Sequence, residues 1–159
     1  MPENKWLDAQ EQRVWLGLIA TMTVLDSALD RQLQRDSTIT HAQYGMLSIL
    51  SEAPERTRHM SALASQTSSS QSRLSHAVSR LEEEGWVMRS RCPSNKRAVH
   101  ATLTDAGYAL VVAAAPGHVA EVRRLLFDHL RREQVQQLAE ITSACLETLA
   151  ADGYDIPTW

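Results

Sequence analysis

Two guanidiniums, one imidazole and a row of small hydroxyls share one stretch of this chain, Ser70-Gln-Ser-Arg-Leu-Ser-His-Ala-Val-Ser-Arg-Leu81. At about 100° per residue, Leu74, Val78 and Leu81 fall on one side of a helix, with Ala77 at its border. The opposite side carries Ser72, His76, Ser79 and Glu83, flanked by Arg73, Ser75 and Arg80. Small polar side chains let a helix approach the floor of a nucleic-acid groove, and long basic ones reach phosphates and base edges. A face that only met water would be richer in Glu/Lys pairs. The spacing predicts a helix over 70–84, capped by Ser69 or Ser70 and stopped at Gly85. Two short strands follow, Trp86–Arg91 and Ala98–Leu103, around the turn Cys92-Pro-Ser-Asn-Lys-Arg97. Val99, Ala101 and Leu103 take one face of the second strand, His100 and Thr102 the other. A helix followed at once by a basic-tipped hairpin suits the gripping of a duplex better than it suits catalysis.

Charge is distributed to match. The 159 residues carry a net −3. Between Arg56 and His100, eight Lys/Arg face three Glu, a local +5, while the remainder has eight against sixteen, a local −8. A basic middle between acidic ends is the footprint of a phosphate-binding surface. Enzymatic patterns are missing. The six His (41, 59, 76, 100, 118, 129) form neither His-x-x-x-His nor His-Glu-x-x-His, and there is no Gly-rich phosphate loop or nucleophile elbow. No catalytic residue, cofactor or metal site is expected. Cys92 and Cys145 share no metal or redox spacing and read as free thiols of a reducing compartment. No apolar run reaches the ~18–20 residues of a membrane span, and no secretory signal opens the chain. A cytoplasmic protein without membrane contact is expected.

Length and a 43% hydrophobic content allow one domain with additional helices. A first helix is predicted over 7–34, with Trp15, Leu18, Met22, Leu25, Leu29 and Leu33 stepping by three and four. Its apolar face is longer than one small domain can cover, which points to a second subunit. Thr40 and Gln43 have the spacing of a capping box. The helix they open carries Tyr44, Leu47 and Leu50 on one face and closes at Pro54. A basic loop, Arg56-Thr-Arg58, leads to a short helix over 61–66. Beyond the hairpin, Thr104 should cap a helix with Tyr108, Val111 and Val112, which Pro116 is expected to bend or split. The pattern resumes from Val119 to Leu130, and a last helix is predicted over 133–149. The tail, 150–159, has no readable role.

The order helix, helix, helix, polar-faced helix, hairpin, long helix, long helix resembles the MarR family over nearly the whole chain. The resemblance is carried by Ser70–Val87 and by Asn95-Lys-Arg-Ala-Val-His-Ala-Thr-Leu-Thr-Asp-Ala-Gly107. It implies a mainly α fold with a small β wing: a winged helix-turn-helix lobe over 40–104, and dimerisation helices over 7–34 and 105–149, in a single domain. Its further implication is a homodimeric regulator, often a repressor, that binds double-stranded DNA at a pseudo-palindrome. Ser70, Gln71, Ser72, Arg73, Ser75, His76, Ser79 and Arg80 would meet the major groove, and Asn95, Lys96 and Arg97 the minor groove. Where the family has a wing Asp that orients the Arg, this chain has Asn95, which keeps hydrogen bonding and loses the charge.

Members of the family are often released from DNA by small molecules, frequently phenolic or aromatic acids. In this chain Arg13 would suit a carboxylate, Trp15 stacking, and His41 or Tyr44 a hydroxyl. Two other family mechanisms fit less well. Cysteine sensors use the first or second helix, where neither Cys92 nor Cys145 lies. Zinc-binding members use His and acidic groups, and His41 lacks a second pair of ligands. The alternatives are an architectural DNA binder without ligand control, or a thiol- or metal-responsive regulator of the same fold.

Overall fold

The computed structural model describes residues 6–67, 69–92 and 95–156, with backbone alone for Cys92 and residues 95–97. Helix α1 (Ala9–Ser37) opens on a capping box. The Asp8 carboxylate accepts the amides of Gln10 and Glu11, and Glu11 accepts the Asp8 amide at 2.8 Å. Helix α2 (His41–Ser51) opens on the predicted box of Thr40 and Gln43. Helices α3 (Met60–Gln66) and α4 (Gln71–Glu83) form the helix-turn-helix pair, and α4 is capped by Ser70. The hairpin strands are β2 (Val87–Cys92) and β3 (Asn95–Leu103), and helices α5 (Asp105–Leu125) and α6 (Arg132–Ala151) complete the chain. A mainly helical protein with a small antiparallel wing is the fold class the sequence predicted.

Four local expectations are corrected. The basic loop at Arg56–Arg58 is a 3-10 turn (Pro54–Arg56) running into a strand, β1 (Thr57–His59). This strand pairs with β3, Thr57 opposite Thr102 and His59 opposite His100, giving the sheet order β1-β3-β2. Pro116 does not split α5, which runs through it. Proline removes the donor to the Val112 carbonyl, but Val112 is exposed, so water can take that acceptor. The long helix stops at Leu125 instead of reaching Leu130, in a 3-10 turn at Phe127–His129. The turn of the hairpin is also tighter than predicted, because the strands extend to Cys92 and from Asn95.

One core holds the lobe. Leu33 and Ile39 from the end of α1, Leu47 and Leu50 from α2, Leu63 from α3, Leu74, Val78 and Leu81 from α4, and Ala101 and Leu103 from β3 are buried together, and Val111 and Ala114 join them from α5. Burying a Leu or Val side chain is worth roughly 1.5–3 kcal/mol each, so these residues dominate lobe stability. The other half of the molecule is different in kind. Along α1, Trp15, Leu18 and Met22 remain exposed, and α6 buries no residue at all. The total accessible surface is 11552 Å², against about 8,000 Å² for a compact monomer of this mass.

Candidate nucleic-acid interface

Helix α4 is oriented by what it buries. Leu74, Val78 and Leu81 are at most 1% exposed, so the opposite face must point outward. Ser70, Gln71, Ser72, Arg73, His76, Arg80 and Glu83 are exposed there, whereas Ser75 and Ser79 are half-buried. The Ser79 hydroxyl donates to the Ser75 carbonyl at 3.0 Å, which turns it along the helix. The outward set is thus two guanidiniums, one imidazole, one amide and small hydroxyls, with the Glu83 carboxylate at the C-terminal end. Asn95, Lys96 and Arg97 lie on β3, and their side chains fall outside the described ones. Pro93 and Ser94 of the turn are outside the described residues as well.

The end of α4 is tied to the wing. Gly85 takes φ +74°, with the Trp86 amide donating to the Leu81 carbonyl at 2.9 Å and the Gly85 amide to Glu82 at 3.0 Å. This is a Schellman stop, and glycine serves it because other residues resist that φ. Glu82 then clasps β2: one oxygen accepts the Arg89 amide at 3.0 Å, the other its guanidinium at 2.7 and 2.8 Å. Those bonds, the backbone one foremost, hold the Glu82 carboxyl below the usual carboxylate range. Arg89 therefore serves the joint between helix and wing.

A second joint ties both to α5. The Thr104 amide donates to the Trp86 carbonyl at 3.0 Å, its hydroxyl donates to the Gly85 carbonyl at 2.7 Å, and it accepts the Gly107 amide at 3.1 Å. The close of α4, the base of the wing and the cap of α5 meet at one threonine. Arg56 braces the same corner, donating to Asp105 at 2.9 Å and lying 3.8 Å above the Tyr108 ring. Arg56 is committed to this corner, which removes it from the free cations counted in the sequence, while Arg58 is half-buried.

Of the residues read as a ligand site, the structure gathers two and separates two. His41, at the start of α2, donates through Nδ1 to Asp26 of α1 at 2.8 Å. Tyr44 is 8% exposed. Both rings face His118 of α5, at centroid distances of 5.4 Å and 4.5 Å. Arg13 and Trp15 are exposed on α1, with Arg13 about 20 Å along the helix from Asp26 by the ~1.5 Å rise. They do not meet His41 and Tyr44 within one protomer. His118 is the residue the sequence reading missed. The signal was there, since Val111, Ala114 and His118 step by three and four.

His118 Nδ1 is buried without a hydrogen-bond partner, and burial first, then the positive charge His41 can carry, pushes its pKa below the usual imidazole value. The unfolded chain then binds the proton more readily, so this residue's contribution to stability is present above about pH 6.5 and lost as pH falls toward the folded value. Melting curves from about pH 7.5 to about pH 5.5 should show a steeper loss in the wild type than in His118→Gln. Parallel losses would remove His118 from the acid response.

No described helix is long and apolar enough to cross a membrane. Among the described residues, no three His, Cys, Asp or Glu side chains converge as metal ligands. Cys145 is a free, exposed thiol on α6.

Comparison with known proteins adds an independent line. The MarR family model matches residues 39–99. The solved structure of Sco3205 from Streptomyces coelicolor, described as a MarR family transcriptional regulator in complex with DNA, is 47% identical. It covers 99% of this chain and 98% of its own, with a TM-score of 0.92. AbsC, a MarR family transcriptional regulator from the same organism, is 34% identical over 93% of this chain and 99% of its own, with a TM-score of 0.88. BpsR of Bordetella bronchiseptica, whose DNA binding is described as regulated by 6-hydroxynicotinic acid, shares the fold at 20% identity and a TM-score of 0.73, over 84% of this chain and 98% of its own. No curated protein is a significant match.

Proposed function

The chain belongs to the MarR family of transcriptional regulators, and on that footing we propose that it acts as a homodimer that binds a pseudo-palindromic operator and is released by a small molecule. The observation that carries the DNA reading is the outward row Ser72, Arg73, His76 and Arg80, held over three buried aliphatics. It lies in a chain 47% identical to a regulator solved with DNA. Helix α4 of each subunit enters the major groove, Ser70, Gln71 and Ser72 meeting the backbone near its N-terminus. Arg73 and Arg80 reach phosphates or base edges, and His76 sits centrally, facing the bases. Ser75 and Ser79, half-buried, set how close the helix comes. Asn95, Lys96 and Arg97 carry the wing into the minor groove.

Two variants test this assignment. Each phosphate contact contributes about 0.9 to the slope of log K against log salt. Arg97→Ala in a dimer should therefore weaken binding to every sequence and flatten that slope by roughly two. Wild-type affinity and slope in this variant would remove Arg97 from the interface. His76→Ala should cost about 1–3 kcal/mol per half-site on the operator and little on scrambled DNA. Equal losses on both would make His76 a positioning residue. The duplex for both titrations comes from selection out of a random pool with the purified protein.

For release, the junction of α1, α2 and α5 supports an effector site better than the tip of α1 does. His41, Tyr44 and His118 offer aromatic walls and ring nitrogens, and His118 lies on α5, the helix whose N-terminus Thr104 joins to α4 about 20 Å away. An aromatic acid with a hydroxyl fits that chemistry. Arg13 and Trp15 belong to such a site only if the partner's α1 brings them, and repression is the direction this mechanism implies. In a thermal-shift panel, aromatic acids that stabilise the wild type should lose their effect in His118→Ala and Tyr44→Phe. Stabilisation that survives both, and falls in Arg13→Ala, would move the site to α1.

A further inference from the structure

The solvent face of the wing sheet carries a histidine pair that the DNA reading does not use. His59 on β1 and His100 on β3 are directly opposed in register. Their Nε2 atoms stand 3.3 Å apart, and Ser90 of β2 stands on the other side of His100. The core face of the same strands is taken by Ala101, Leu103 and Val87, so both imidazoles project away from the lobe. His59 is exposed and His100 half-exposed. Among the described residues neither ring has another hydrogen-bond partner.

We propose that His59 and His100 bind a divalent transition-metal ion, of the zinc, nickel or copper type, at the base of the wing. A contact of 3.3 Å is longer than a good hydrogen bond. It is, however, the bite of two tetrahedral ligands: zinc–nitrogen bonds of about 2.0–2.1 Å at the tetrahedral angle place the nitrogens about 3.3–3.4 Å apart. The rings meet edge to face, centroids 4.2 Å apart and planes at 66°. Aiming both lone pairs at one point takes a rotation of each ring, and the open face gives room for it without changing the strand register. Two neutral imidazoles and no carboxylate favour borderline ions over magnesium or calcium. Water completes the coordination.

The site would pin β1 to β3, the strand that carries Arg97. It also adds two positive charges about 10 Å along β3 from Arg97, three residues away at ~3.3 Å each. On the DNA-binding reading, which this second part rests on, metal and operator then strengthen each other's binding reciprocally.

The test begins without DNA. Zinc is titrated into the full chain while the histidine side-chain nitrogens are followed by NMR and the heat by calorimetry. Zinc should shift the Nε2 resonances of His59 and His100 and raise the melting temperature. Saturable binding should be lost in His59→Gln and in His100→Gln and kept in His118→Gln, with magnesium inert throughout. Zinc binding unchanged in the first two variants, lost only in His118→Gln, or missing from the wild type at submillimolar zinc overturns the site. A second titration adds operator DNA. Zinc should raise the affinity of the wild type and leave that of His59→Gln unmoved. Bound zinc with unmoved DNA affinity keeps the site and overturns the coupling, and failure of the zinc-free protein to bind any selected duplex overturns the DNA reading alone.

Discussion

Replacing Gly107 by alanine should lower the melting temperature by about 10 °C, although alanine is the better helix former. Propensity alone favours the substitution by roughly 0.8–1 kcal/mol, since Gly107 lies within the first turn of α5. Space decides against it. A Cβ at this position would stand 2.3 Å from the Trp86 carbonyl oxygen and 2.7 Å from a Leu103 methyl. The leucine can turn, but the carbonyl cannot retreat freely, because it accepts the Thr104 amide at 3.0 Å. Relief requires α5 to slide off the wing base, breaking the bonds that Thr104 makes to Gly85 and Gly107. Overpacking of this kind costs about 1–3 kcal/mol, occasionally more, and the two bonds lost at Thr104 add about 0.5–1.5 kcal/mol each, which together exceed the propensity gain. At about 2–4 °C per kcal/mol for a chain of this size, a net loss near 3 kcal/mol gives the stated shift. Circular dichroism melts would read it, and a change within about 2 °C would show that the joint is softer than its geometry.

The same joint shows what could be read from the chain and what could not. Local signals were legible. The caps Thr40, Ser70 and Thr104 and the stop at Gly85 act within four residues of themselves, and the period of Leu74, Val78 and Leu81 needs only one helix to state it. Long-range pairing was not legible. Strand β1 is three residues, too short for alternation to show, and its partners on β3 lie more than forty positions away. Counting charges overstated the free cations for the same reason. Arg56 finds Asp105, forty-nine residues on, and Arg89 finds Glu82. The face of α4 was read correctly in its buried half. In its outward half, Ser79 turned back to its own helix, a local choice that residue type alone leaves open. The surplus apolar face of α1 was legible because it is a mismatch between one helix and the size of the chain.

Leu18→Asp tests that surplus, and its expected effect on DNA binding is the largest of any substitution considered. In proteins most helical stability comes from the packing of an amphipathic face, yet α6 buries none of its side chains, and Ile141 and Leu149 are 60% and 42% exposed. On α1, Val14, Trp15, Leu18, Ile19 and Met22 are between 38% and 64% exposed. An open apolar hollow of about 370 Å³ lies between α1 and the end of α5, lined by Ala20, Val24, Leu25 and Leu125 among others. The surface exceeds that of a compact monomer by about 3,500 Å². Hiding that excess on each subunit gives an interface of the obligate, interwoven class. In the proposed dimer an Asp at position 18 would carry an unpaired charge into that interface, which costs several kcal/mol, and two-fold symmetry would impose the cost twice. Light scattering should then find a monomer, and operator affinity should fall by about 100-fold or more, because one α4 reads only one half-site. A wild-type melting temperature that rises with protein concentration is the companion result, since only an oligomer couples folding to concentration. A Leu18→Asp protein that remains dimeric at full affinity, with melting independent of concentration in the wild type, would place the interface elsewhere and leave the exposed faces of α1 and α6 to another partner.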